Sequence, residues 1–96
     1  MWKYSELDNL DEVKDYIAKT YSSHYVGKDE DGIQIQDLLD SIGVAEKFCQ
    51  GNAMKYIARY GRKNGKNKMD LLKAIHYTLL MMHFSEKNNG EFDNED

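Results

Sequence analysis

Apolar residues recur at spacings of three and four along most of the chain, which is the periodicity of amphipathic helices. The first such run predicts a helix from Asn9 to Tyr21, with Asn9 as its N-cap. A second run predicts a helix from Gln34 to Ile42, and Gly43 is a natural residue to end it. The first half of the chain therefore favours helices over strands.

The second half of the chain predicts two more helices. One spans Gly51 to Tyr60, after a short helical piece from Val44 to Phe48. Gly61 can adopt the left-handed conformation that closes a helix. The last helix is expected to begin near Asn67 and to run through Met82.

These runs predict an all-α fold, a small bundle of about four helices, because the chain has no proline and no strand pattern. We expect a single helical domain over residues 1–85. Residues 86–96 are acidic and polar, which is typical of a disordered tail. The last helix has more apolar residues than a domain of 96 residues can bury, so we expect homo-oligomerisation to complete the bundle.

Composition narrows the class of protein. The net charge of −4 argues against binding of extended nucleic acid, which relies on broad phosphate neutralisation. The chain has one cysteine, Cys49, which we expect to fill space in the core. Without a signal-peptide pattern or a long apolar run, we expect a cytoplasmic protein, in a host cell, that has no membrane partner.

Basic residues concentrate in one predicted helix of this otherwise acidic chain. Four polar residues fall on one stripe of that helix: Asn52, Lys55, Arg59 and Arg62. Three others fall on a stripe that can face a core: Ala53, Ile57 and Tyr60. Ammonium and guanidinium groups bind phosphate oxygens, and a helix start at residues 50–52 would add unpaired N–H groups. The alternative is a solvated helix face that binds nothing.

The segment from Ser22 to Gly32 is rich in polar and turn-forming residues, which predicts a loop or lid. It contains His24 and Tyr25, which could stack on a base and donate a hydrogen bond to a phosphate. The alternative is that both are ordinary surface residues. We include both in the candidate site.

Asp70, Lys73 and Tyr77 share one face of the last predicted helix. Asp70 could contribute to a ligand site. Alternatively, it serves the helix start and pairs with Lys73 or Arg62.

A magnesium site is an alternative interpretation of the acidic residues in this part of the chain. The candidates are Asp37, Asp40, Glu46 and Asp70. Their spacing is not diagnostic, so we expect no metal, no other cofactor and no catalytic residue. The chain also lacks a P-loop motif, which excludes an ordinary Walker-type kinase.

Several segments together resemble a known family. They are His24-Tyr25, Gly32-Ile33-Gln34 leading to Asp37, Phe48, Gly51 to Arg59, and Asp70 to Ala74 with Tyr77. In these segments the chain resembles a small bacteriophage family of uncharacterised proteins related to the nucleotide-kinase-like protein of T7-type phages. The resemblance covers about residues 24–84.

The resemblance implies a phage origin, an α-helical domain, self-association and contact with nucleotides. The residues that match the motifs are His24, Tyr25, Asn52, Lys55, Arg59, Asp70 and Lys73. The family pattern has glutamate at the position of Gln34 and tryptophan near His76. These departures imply that a catalytic carboxylate is missing while a binding surface persists.

Our leading hypothesis is a nucleotide-binding protein that sequesters a nucleotide-derived or cyclic-nucleotide-type immune signal of the infected bacterium. Its ligand-binding residues are predicted to be His24, Tyr25, Asn52, Lys55, Tyr56, Arg59, Arg62, Asp70 and Lys73. The competing hypothesis is an enzyme, either a P-loop-free nucleotide kinase or a magnesium-dependent nucleotide pyrophosphatase. A third is an inhibitor whose apolar last helix docks on a host protein.

Overall fold

The computed structural model describes residues 2–21 and 35–89. Four α-helices lie in these ranges: α1 (Glu6–Thr20), α2 (Ile35–Ser41), α3 (Ala45–Arg59) and α4 (Lys68–Asn89). No strand occurs in the described part of the chain, so the predicted all-α fold is confirmed. None of the helices there is long and apolar enough to cross a membrane.

The chain divides into two compact units, Met1–Gln34 and Ile35–Asp96. In the first unit, α1 begins at Glu6, three residues before the predicted start at Asn9. Glu6 and Asp8 lie in its first turn, where negative charge is favourable beside the positive end of the helix dipole. The expectation that residues 1–85 act as one domain stays a prediction.

In the second unit, α3 and α4 pack as an antiparallel pair. Ala45 and Cys49, in the first half of α3, form a buried cluster with Phe84, near the end of α4. The other end of the pair is joined by Arg59 and Asp70. Four half-buried side chains pack around the buried cluster: Leu39 from α2 and Tyr77, Leu80 and Met81 from α4. The helix α2 thus covers part of the same core.

The helix α3 is one continuous helix, so the predicted break before Gly51 is wrong. Gly51 lies in the middle of α3, and the predicted helix start at residues 50–52 does not exist. Glycine costs a helix interior about 1 kcal/mol relative to alanine. Ala45, Cys49 and Ala53 are buried along the same helix, and tertiary packing of this kind is what mainly stabilises a helix in a protein. The anion site that a helix start would offer beside the basic stripe is therefore absent from α3.

The predicted core stripe of α3 is only partly correct. Ala53 is buried, whereas the side chain of Ile57 is 58% exposed. Residues spaced by four advance about 40° around a helix. The three such steps from Ala45 to Ile57 therefore rotate Ile57 by about 120°, away from the side of α3 on which Ala45 is buried. Cys49 is fully buried as predicted, and burial raises the pKa of its thiol.

The connections between helices follow the predicted turn chemistry. Gly43 and Gly61 both adopt a left-handed conformation, with φ of 82° and 83°, after α2 and α3. Asn67 begins α4 as expected, because its Oδ1 accepts a hydrogen bond of 2.9 Å from the Met69 N–H. The helix α4 runs on to Asn89, so it includes residues 86–89 of the segment expected to be disordered.

Two glycines of this unit should respond oppositely to alanine. Gly61→Ala should lower the free energy of unfolding by about 1 kcal/mol, because a Cβ disfavours positive φ. Gly51→Ala should raise it by about 0.5–1 kcal/mol, because nothing lies within 4 Å of the added Cβ and alanine favours the helix. Urea unfolding followed by circular dichroism measures both. A loss of stability in Gly51→Ala would contradict a continuous α3.

Candidate functional site

An ion pair joins the end of α3 to the first turn of α4. Arg59 Nε lies 3.3 Å from Asp70 Oδ1, and the two side chains are 30% and 4% exposed. Asp70 therefore lies in the first turn of α4, as the structural alternative expected, but its partner is Arg59 and not Lys73 or Arg62. Within the described ranges, neither the buried Oδ2 of Asp70 nor the buried Nε of Arg59 has a hydrogen-bond partner, so the contact between the two side chains is electrostatic. Arg59 is thus the cation that compensates this buried carboxylate.

Three cations surround the ring of Tyr56. Lys55 Nζ lies 4.8 Å from the ring centroid, Lys73 Nζ 5.2 Å and Arg59 Cζ 5.8 Å. These distances are within the range of cation–π attraction. Lys55 and Arg59 come from α3 and Lys73 from α4, so the packing of the two helices creates this concentration of charge. With Asp70 as the one carboxylate in this group, two positive charges remain in excess.

Aromatic rings continue from Tyr56 towards the middle of the helix pair. Tyr56 and Tyr77 are parallel, with centroids 6.1 Å apart and an interplanar angle of 8°. Phe48 meets Tyr77 edge to face at 6.3 Å. Tyr77 thus contacts both other rings, and a ring already held by its neighbours loses little further freedom on binding a planar ligand. We call Lys55, Tyr56, Arg59, Lys73 and Tyr77 the basic–aromatic cluster.

Two further residues beside the cluster affect its chemistry. Asn52 lies one turn before Tyr56, and its Nδ2 donates a 3.0 Å hydrogen bond to the Phe48 carbonyl oxygen. His76 precedes Tyr77, and burial lowers its pKa, which disfavours the charged imidazolium. The cations placed near the ring of Tyr56 are lysine and arginine side chains.

The structure brings together five of the nine predicted site residues: Lys55, Tyr56, Arg59, Asp70 and Lys73. Asn52 lies beside them. Arg62 is exposed in the connection after α3, beyond the end of the helical stripe on which it was predicted to lie. His24 and Tyr25, with the predicted lid, lie outside the described residues.

Tyr77 and Phe48 belong to the site but were missing from the predicted set. Tyr77 lies four residues after Lys73 and seven after Asp70, so the helical spacing did place it on their face. Phe48 lies eight residues before Tyr56, which is about 12 Å back along α3 and about 80° around it. Phe48 joins the site through its contact with Tyr77 of α4, which only the packing of the two helices shows.

The candidate magnesium ligands do not form a group. In the described part of the chain, no three histidine, cysteine, aspartate or glutamate residues lie close enough to hold a metal ion. Asp70 is engaged with Arg59 instead.

The protein is therefore a small all-α protein whose antiparallel helix pair carries a cationic, aromatic-lined face. The chain belongs to the DUF3310 family, described as a protein of unknown function, whose model matches residues 19–78. The match includes α2, α3 and the half of α4 that carries Asp70, Lys73 and Tyr77. No curated protein and no solved structure matches the chain. The relation to the nucleotide-kinase-like phage protein stays a prediction.

Loss of the Arg59 cation should destabilise the second unit. Arg59→Leu should lower the free energy of unfolding by about 2 kcal/mol, because it leaves Asp70 buried and uncompensated. Arg62→Leu is the control, since it removes the same charge from an exposed position and should change stability by less than about 0.5 kcal/mol. Urea unfolding gives both values. Equal losses in the two variants would show that the ion pair does not hold the helices.

Proposed function

We propose that this protein binds a nucleotide on the basic–aromatic cluster and does not chemically change it. The observation that carries the proposal is the placement of Lys55, Arg59 and Lys73 around Tyr56. Cations beside an aromatic ring match the two parts of a nucleotide, because phosphate needs positive charge and a base needs a flat apolar surface.

Four members of the cluster contact the ligand in this proposal, and Tyr77 supports the ring of Tyr56 by stacking on it. Lys55 is exposed and Lys73 is half-buried, so their ammonium groups bind phosphate oxygens from two helices. Arg59 Nε lies 3.3 Å from Asp70 Oδ1, and the terminal nitrogens of Arg59 supply donors to the phosphate. The base packs against the ring of Tyr56, and Phe48, which is 38% exposed and contacts Tyr77, extends the apolar surface beside it.

Binding without turnover is favoured over the enzyme hypotheses by the state of Asp70. A kinase or pyrophosphatase of this kind needs carboxylates that hold magnesium beside the phosphates. The Asp70 side chain is 4% exposed, and its Oδ1 faces Arg59. In this arrangement Asp70 positions a phosphate-binding cation, and its carboxylate is not presented to a metal ion.

The biological role that we propose is sequestration of a nucleotide-derived signal, including cyclic nucleotides, that an infected bacterium makes for its defence. This part rests on the resemblance of the chain to a bacteriophage family. A protein that holds such a signal and does not consume it lowers the free concentration in proportion to its own amount. The kinase and pyrophosphatase remain the alternative, and product formation would identify them.

Nucleotide binding should depend on the lysines of the cluster. Lys55→Gln and Lys73→Gln should each weaken binding by about tenfold, the cost of about one charged hydrogen bond, in calorimetric titrations with linear and cyclic nucleotides. The control is Lys47→Gln, which removes the same charge from α3 at a position about 12 Å from Lys55, towards the N-terminus of the helix. This variant should leave affinity unchanged. Mass spectrometry should recover the bound nucleotide intact.

Three results would contradict this proposal. If no nucleotide binds with or without magnesium, the cluster is a structural feature or a protein-docking surface. If Lys47→Gln weakens binding as much as the cluster variants do, the interaction is non-specific attraction to charge. If a phosphorylated or cleaved product appears, the protein is an enzyme.

A further inference from the structure

The helix α4 carries an apolar stripe on the side that faces away from α3. The stripe consists of Leu72, Ile75, Leu79 and Met82. Leu72 is half-buried, and the other three side chains are 40%, 42% and 51% exposed. The four residues extend about 15 Å along the helix. They form a continuous apolar surface, which a soluble helix normally covers.

The spacing of this stripe indicates what covers it. The residues follow one another at intervals of three, four and three, which is the seam of a coiled coil. Such a seam fits another helix, because each side chain enters a space between four residues of the facing helix. A groove for an extended peptide or a flat sheet surface would not need this repeat.

The residues of the stripe are spaced symmetrically about position 77 in the sequence. This symmetry indicates that the partner is a second copy of α4. In an antiparallel pair centred at position 77, Leu72 faces Met82 of the second copy and Ile75 faces Leu79 of the second copy. These are the layers that antiparallel coiled coils form. A single helix therefore complements itself when a two-fold axis passes through its middle.

The charges at the two ends of the stripe favour antiparallel packing of the two α4 helices. Lys68 continues the repeat before Leu72, and Glu86 continues it after Met82; both are exposed. The antiparallel pair centred at 77 places Lys68 opposite Glu86 of the second copy, at both ends. A parallel pair places like charges together instead. We propose that the protein forms a two-fold homodimer through antiparallel packing of the outer stripes of α4.

This dimer is independent of the proposed ligand site. Lys73 is rotated about 140° from the centre of the stripe, and Tyr77 lies on the opposite side of α4. The two copies therefore pack without covering the basic–aromatic cluster, and each dimer presents two such clusters. Loss of dimerisation would leave nucleotide binding in place, so the two proposals fail separately.

The test is the molar mass of the full chain by analytical ultracentrifugation. The wild type should sediment as a dimer, and Leu79→Glu should weaken dimerisation by at least about tenfold, because it places a charge in the seam. The control is Met54→Glu, an equal change at a residue of α3 that is 64% exposed and outside the stripe. It should keep the dimer. Circular dichroism checks that both variants remain helical.

Charge exchange tests the orientation of the two helices. Lys68→Glu alone and Glu86→Lys alone should each weaken the dimer several-fold. Each change removes an exposed ion pair at both ends of the two-fold dimer, and exposed ion pairs are individually weak. The combined variant should restore wild-type affinity. In a parallel dimer each single change would replace one pair of like charges by another, so the single variants would keep wild-type affinity. A monomeric wild type, or a dimer that Leu79→Glu leaves intact, would overturn the proposal. Failure of the combined variant to restore affinity would overturn the antiparallel register.

Discussion

A buried carboxylate needs a compensating cation, and this requirement organises the second unit of the protein. The Asp70 side chain is only 4% exposed, and Arg59 lies 3.3 Å away across the helix pair. The contact fixes the end of α3 beside the start of α4. Lys73, one turn further along α4, then lies beside Tyr56 of α3. The concentration of positive charge thus follows from how the helices are joined.

In this arrangement Arg59 has two roles, whereas Lys55 and Lys73 each have one. Arg59 compensates a buried charge and also faces the ring of Tyr56, so its loss affects stability as well as any bound phosphate. Lys55 and Lys73 contact the ring from outside the ion pair. Stability and ligand affinity can therefore be separated by experiment, because loss of either lysine leaves no buried charge uncompensated.

Sequence periodicity predicted the helices well and their boundaries less well. The basic stripe and the capping residues Asn67 and Gly61 depend on local chemistry, which a sequence displays directly. The continuity of α3 through Gly51 depends on burial of Cys49 and Ala53 against α4, which is a tertiary effect. Likewise, only the packing of two helices could show that Asp70 meets Arg59.

The most direct test of the account is to map where a nucleotide binds. Isotope-labelled protein would be titrated with the nucleotide that binds tightest, and backbone amide shifts would be followed by NMR. If the basic–aromatic cluster binds the nucleotide, the largest changes will fall in residues 52–59 and 70–77, together with the side-chain signals of Tyr56. Changes concentrated in α1 or along the outer stripe of α4, with the cluster unperturbed, would contradict this prediction.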